Sequence, residues 1–125
     1  MELGAFSVSL AVKDIARSQA FYETLGFTRV GGDGVHYLIL RNGAAMLGLF
    51  QGMFDNNILT FNPGWSSEGD EVNPFTDIRE IQLRLKEAGL ELTEETDPEG
   101  TGIGHITLQD PDGNAILIDQ HRPKS

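Results

Sequence analysis

Three histidines, His36, His105 and His121, are the side chains of this 125-residue sequence whose ordinary titration falls near neutrality, and there is no cysteine. Chemistry for His105 depends on where the chain places it. Residues Gly104 to Gln109 and Ala115 to Gln120 are two alternating runs joined by Asp110-Pro111-Asp112-Gly113-Asn114. A five-residue loop there pairs Gln109 with Ala115, Thr107 with Leu117 and His105 with Asp119. All six then share one face, and Ile106, Leu108, Ile116 and Ile118 point to the other. His105 opposite Asp119 either orients an imidazole as a general base, or binds a ligand's donor group, or forms an ordinary cross-strand salt link. These two residues are the best catalytic candidates. His121 follows on the same side, where solvation is expected. Without cysteine, and with no serine placed by motif beside a histidine, no nucleophile constellation is present.

The elements that must hold these residues read the same way twice. Phe6, Val8, Leu10 and Val12 alternate with Ser7, Ser9 and Ala11, a strand with one face in a core. Asp14 is a good N-cap for a helix over 14–25 that carries Ile15, Phe21, Tyr22 and Leu25 to one side and stops at Gly26. Thr28-Arg29-Val30, Val35 to Leu40 and Ala45 to Phe50 read as strands, the last two joined by an Asn42-Gly43 hairpin turn that pairs Leu38 with Leu47. The second half repeats the order: a strand over Asn57 to Asn62, then a helix over 77–88 with Glu80 as capping-box partner and Gly89 as its stop. Leu90 to Thr93 follows as a strand, and then the hairpin that carries His105. Two modules, about 5–54 and 55–121, therefore form one domain. Gly31-Gly32-Asp33-Gly34 lacks the strand-to-helix context of a phosphate loop and reads as a turn.

Composition narrows the function classes. Nineteen acidic against nine basic residues give a formal net charge of −10, which repels phosphate backbones and anionic membrane surfaces, so neither nucleic acid nor a membrane is an expected partner. Most of this acidity reads as solubility. No apolar run is long enough to span a bilayer, and the start Met1-Glu2-Leu3-Gly4 lacks the pattern of an export signal, so a cytoplasmic location is expected.

Two phrases carry a resemblance. Ala11-Val12-Lys13-Asp14-Ile15-Ala16-Arg17-Ser18-Gln19-Ala20-Phe21-Tyr22-Glu23-Thr24-Leu25-Gly26-Phe27 is similar to the first-module signature of the vicinal oxygen chelate superfamily. Leu108-Gln109-Asp110-Pro111-Asp112-Gly113-Asn114 resembles its second-module hairpin. The superfamily comprises glyoxalase, extradiol dioxygenase and bleomycin-resistance proteins. The resemblance implies an α+β fold of two βαβββ modules forming a curved mixed sheet around a cleft, and a homodimer. It also implies a divalent metal held by His and Glu from the inner face. The corresponding positions here are Ser7, Gly48, about Asn57 and Leu117, none of them His, Glu or Asp, so no metal or other cofactor is expected.

If Ser7 and Gly48 face the cleft, strand parity adds Ser9, Met46, Phe50, Tyr37 and Ile39, and leaves His36 on the helix side. The expected ligand-binding set is thus Ser7, Ser9, Tyr37, Gly48 and Phe50 from the first module, with Trp65, His105, Thr107, Leu117 and Asp119 from the second. Trp65, in the glycine-rich stretch 63–74, either stacks on a ligand, meets a dimer partner, or covers its own module's core edge. Two readings of different class follow. One is a metal-free protein that captures a small, partly aromatic molecule. The other is a lactoylglutathione-lyase-like or dioxygenase-like enzyme whose metal site has moved to His105, Asp119 and His121.

Overall fold

The computed structural model describes residues 1–124. The fold is α+β. Its contacts group into two compact units, one of Ser7–Ile58 and one of Met1–Phe6 with the chain from Leu59 onward.

The first unit runs β1 (Ala5–Val12), α1 (Ile15–Thr24), β2 (Thr28–Gly32), β3 (Tyr37–Asn42) and β4 (Ala45–Gln51). Its strands lie in the order β2-β3-β4-β1, with β1 parallel to β4 and the other pairs antiparallel. Alternation sends Leu38, Leu40 and Leu49 into a fully buried core with Ile15, against which Leu10, Val12, Tyr22 and Phe27 pack. Asp14 caps α1 by accepting the Arg17 N–H at 3.2 Å, and Gly26 closes it in the left-handed region at φ +100°.

Three expectations for this unit need correction. Phe21 and Leu25 are mostly exposed, at 62% and 57%. At about 100° per residue, Tyr22 returns to the azimuth of buried Ile15 after seven residues, whereas Phe21 and Leu25 fall roughly 120° and 80° away. The hairpin turn is Gly43-Ala44 rather than Asn42-Gly43, so Leu38 pairs with Leu49 and Leu40 with Leu47. Asn42 stays in β3, where its side chain donates to the Leu25 carbonyl at 3.2 Å, and the shift of two residues preserves every face. Finally, β3 starts at Tyr37 instead of Val35. Asp33 accepts the N–H groups of Val35, His36 and Tyr37 at 2.7–3.1 Å and folds 33–36 into a turn. Those bonds hold its carboxyl far below the usual range.

The second unit contains β5 (Ile58–Asn62), α2 (Ile78–Glu87), β6 (Gly104–Gln109) and β7 (Ala115–Gln120), with strands in the order β5-β7-β6. Ile78, Ile81, Ile106, Leu108 and Ile118 form its core. Asp77 caps α2, while Glu80 pairs with Arg84 at 2.6 Å. The strand expected over 90–93 is reduced to an isolated bridge between Glu94 and Thr107. The backbone leaves the sheet there because Thr96 is captured by α2: its N–H donates to Gln82 Oε1 at 2.7 Å and its carbonyl accepts from Gln82 Nε2 at 3.0 Å. The stretch 63–74 is folded back on itself through Val72 N–H to Gly64 O and Ser66 N–H to Asp70 O. Among the described residues no helix is long and apolar enough to cross a membrane.

Candidate functional site

In the first unit, the sheet face opposite the leucine core is apolar and aromatic. Register pairs Ser9 with Gly48 and Gly48 with Ile39, and the next pair along, Tyr37 and Phe50, stacks at 5.9 Å with an 11° interplanar angle. Phe54 extends the cluster, tilted against Phe50 at 5.3 Å. Ser9 is buried at the foot of this wall, Ser7 is half-buried beside it, and Tyr37 remains accessible. His36 lies outside it, 3.0 Å from Asp33.

Gly48 decides what this face can hold. A Cβ built there would lie 2.5 Å from the Phe50 ring. The ring therefore fills the space into which a side chain at position 48 would project. Asn57 is also committed: its Oδ1 accepts the Ala11 N–H at 3.0 Å. A site that takes imidazole and carboxylate donors has nothing to bind at Ser7, Gly48 or Asn57, and the residues present do not fit a divalent metal.

The second unit's corresponding face is polar. The β6–β7 register pairs His105 with Asp119, Thr107 with Leu117 and Gln109 with Ala115. Side-chain partners differ from strand partners, however. Asp119 takes His121, with Nε2 to Oδ2 at 2.8 Å, and its main-chain carbonyl accepts from Asn62 at 2.9 Å. His105 faces Glu94 at 3.6 Å. The Glu94 carboxylate also meets the Thr107 hydroxyl at 3.1 Å, and Thr93 lies 3.2 Å from the same hydroxyl. The expected His105–Asp119 pair is thus replaced by two imidazole–carboxylate pairs. Residue 121 extends past the strand end, where its ring can turn back along β7, whereas His105 leans toward the bridge at Glu94. The hydrogen bond that the His121 ring donates to the Asp119 carboxylate raises the His121 pKa against the opposing effect of burial. Glu94 was absent from the sequence-derived set, and its nearness to the expected strand 90–93 was the available signal. Leu117 is half-buried and apolar. Among the described residues no three His, Cys, Asp or Glu side chains gather as a metal site requires.

Trp65 sits in the folded 63–74 stretch of the same unit. Arg122 lies 5.7 Å over its ring and 4.9 Å over that of Phe75. The Arg122 guanidinium also donates to the carbonyls of Gly64 and Val72 at 2.6 and 3.2 Å and to Asn73 at 2.8 Å.

Comparison with known proteins bears on the whole chain. The family model of the glyoxalase/bleomycin resistance protein/dioxygenase superfamily matches residues 4–118. A superfamily member from Vibrio splendidus is 18% identical, with 92% of this chain and 97% of that chain covered and a TM-score of 0.61. A structure described as an NAD-dependent benzaldehyde dehydrogenase from Legionella pneumophila is 17% identical, with 94% and 99% covered and a TM-score of 0.68. An extradiol ring-cleaving dioxygenase from B. fuscum is 21% identical at a TM-score of 0.59, with 95% of this chain but only 32% of that chain covered. These likenesses show the fold. No curated protein matches the sequence.

Proposed function

The chain belongs to the glyoxalase/bleomycin resistance protein/dioxygenase superfamily, and from that premise we propose that it is a small-molecule-binding member that works without the superfamily's divalent metal. One observation carries the reading: the Phe50 ring lies over Gly48, so that an aromatic wall stands where the resemblance assigns a metal ligand. Tyr37, Phe50 and Phe54 supply flat apolar area. Such area favours a small, partly aromatic ligand, because stacked or tilted ring pairs contribute about 0.5–1.5 kcal/mol beyond simple burial. Ser7 and Ser9 add hydroxyls at its foot. The polar face of the second unit, with His105, Thr107 and Asp119, supplies hydrogen-bonding groups of its own.

Two measurements test the proposal. Elemental analysis of protein purified without chelator is expected to find zinc, nickel, manganese and iron far below one equivalent. A stoichiometric ion would favour a metalloenzyme with a relocated site. A thermal-shift screen against a metabolite library is expected to find compounds that stabilise the wild type. Tyr37→Ala and Phe50→Ala should then lose the response. A wild type that responds to nothing, or variants that respond as it does, would end the proposal.

A further inference from the structure

The helices of the two modules end with the same backbone bond and are packed there by different side chains. Phe27 N–H donates to the Tyr22 carbonyl at 3.1 Å and Leu90 N–H to the Leu85 carbonyl at 3.0 Å, so Leu85 and Leu90 stand where the first module has Tyr22 and Phe27. The hairpins match in the same way. Counted back from Gln51 and Gln120, which accept the first helical N–H of each module, the pair Leu40–Leu47 corresponds to Leu108–Ile116. In the first module Tyr22 and Phe27 meet edge to face at 5.7 Å against the core, and Leu40 is fully buried. In the second, leucines replace both rings, Leu90 is 48% exposed, and the segment after it has left the sheet. What the rings fill in one module is open in the other. The result is a concavity of about 540 Å³, walled by Leu90, Leu92, Leu108 and Ile116, with Glu91 and Asp110 as its acidic residues.

Charge selects what it holds. Asp110 corresponds to Asn42, each two residues beyond its leucine. Asn42 ties hairpin to helix by donating to the Leu25 carbonyl at 3.2 Å, which a carboxylate cannot do. Asp110 only accepts: Oδ1 takes the Asp112 and Asn114 N–H groups at 2.9 and 2.8 Å, and Oδ2 takes Asn114 Nδ2 at 2.7 Å. The bond from the Asn114 side chain, followed by those from the backbone, holds its carboxyl below the usual range, so it is charged at neutral pH. The carbonyl end of a helix also favours cations, and the basic residues in the last turn of α2 are engaged elsewhere, Arg84 with Glu80 and Lys86 with Glu95. An aliphatic concavity with a few polar groups is the usual form of a small-ligand site. We propose that this concavity binds an aliphatic ammonium, its hydrocarbon chain against the four aliphatic side chains and its cationic head at Asp110 and Glu91. No aromatic ring lines it, and it is separate from the aromatic wall of the first unit. Neither site depends on the other.

The experiment uses the full chain at about 0.15 M salt, where distant charges are screened, and three probes that share a six-carbon chain: hexylammonium, 1-hexanol and hexanoate. In a ¹⁵N–¹H spectrum, hexylammonium is expected to saturate and to move the amide peaks of Leu90, Glu91, Leu92 and Gln109, leaving those of Tyr37 and Phe50 in place. By calorimetry it should bind about threefold more tightly than hexanol, as a partly exposed charge pair implies, with hexanoate the weakest. Asp110→Asn, which installs the first module's residue, should bring that ratio to about one. Asp112→Asn removes the same charge from the neighbouring loop and should leave the ratio unchanged. Leu90→Phe, which refills the space, should weaken hexylammonium and hexanol alike by about tenfold, the burial of roughly two methylenes. Shifts gathered at Tyr37 and Phe50, an Asp110→Asn protein that keeps the preference, an equal loss in Asp112→Asn, or a Leu90→Phe protein that binds as the wild type does would each overturn the proposal.

Discussion

The two modules start their helices with the same device and develop it differently. Each helix opens on Asp-Ile, Asp14-Ile15 and Asp77-Ile78, and each first helical N–H donates to a glutamine at the end of its module's last strand. Ile15 donates to Gln51 Oε1 at 2.8 Å, and Ile78 to Gln120 Oε1 at 2.7 Å. Gln51 is exposed, whereas Gln120 is fully buried. Gln120 Nε2 also donates to Asp77 Oδ1 and to the Arg122 carbonyl, both at 2.9 Å, and Asp77 is bound by Arg79 Nε at 2.7 Å. Burial has turned a single cap into a network that holds a strand end, a helix start and the carboxyl-terminal segment together. A contact that both modules repeat can matter little in one and much in the other, according to whether water can replace it.

Truncation should separate the copies most widely. Gln120→Ala strands the Ile78 N–H and the Arg122 carbonyl and leaves Asp77 Oδ1 to Arg79 alone, which is expected to cost about 3 kcal/mol. Gln51→Ala leaves an N–H that water can reach, and should cost about 0.5 kcal/mol. Denaturant unfolding of both variants measures the difference. Equal losses would mean that the buried network adds nothing to the shared contact.

Acid should find the same asymmetry with a smaller effect. Burial pushes the Asp77 carboxyl up, but the hydrogen bonds from Arg79 and Gln120 outweigh it and bring the pKa down to about 2. A carboxyl with a depressed folded pKa contributes stability that is complete above its unfolded value near 3.8 and is lost as pH falls toward 2. Asp77 should therefore contribute about 2 kcal/mol at neutral pH. Unfolding curves between pH 5 and pH 2, set against Asp77→Asn, should differ in slope over that window. Parallel curves would show that Asp77 is not held ionised.

Much of this was legible because period and parity are local. Alternation in 104–109 and 115–120, with a five-residue loop, sufficed to pair His105 with Asp119 and to send Ile106 and Ile118 to the core. The aspartate caps and the glycine stops at 26 and 89 were equally local signals. What the sequence hid was the choice among partners within reach. Nothing in a strand pattern says that Asp119 takes His121 across one residue rather than His105 across the ladder, or that Glu94 meets His105 from a segment that is barely a strand. The Gln51 and Gln120 anchors escaped for another reason. They sit 36 and 42 residues from the N–H groups they accept, so only the repeated Asp-Ile and terminal Gln, seen together, would have disclosed them. The Phe50 ring over Gly48 is likewise a rotamer choice that spacing does not encode.

The smallest expected effect concerns His121, on the polar face that the first module lacks. The Asp119 hydrogen bond raises its pKa, so the sign is opposite to that of Asp77. Its contribution is complete below the unfolded histidine value near 6.5 and fades as pH rises through the raised folded value. The pair is solvent-accessible, with the imidazole 58% exposed, so screening should hold the energy to a few tenths of a kcal/mol, too little to read by unfolding. Titration of the histidine ring protons by NMR reads it directly. In the wild type His121 should titrate above the ordinary range, and in Asp119→Asn its midpoint should fall toward that range, because the partner keeps its shape and loses its charge. Glu94→Gln, which alters the other pair, should leave the His121 midpoint in place. A His121 midpoint that does not move in Asp119→Asn, or that moves as much in Glu94→Gln, would show that the face titrates as one surface instead of as two pairs.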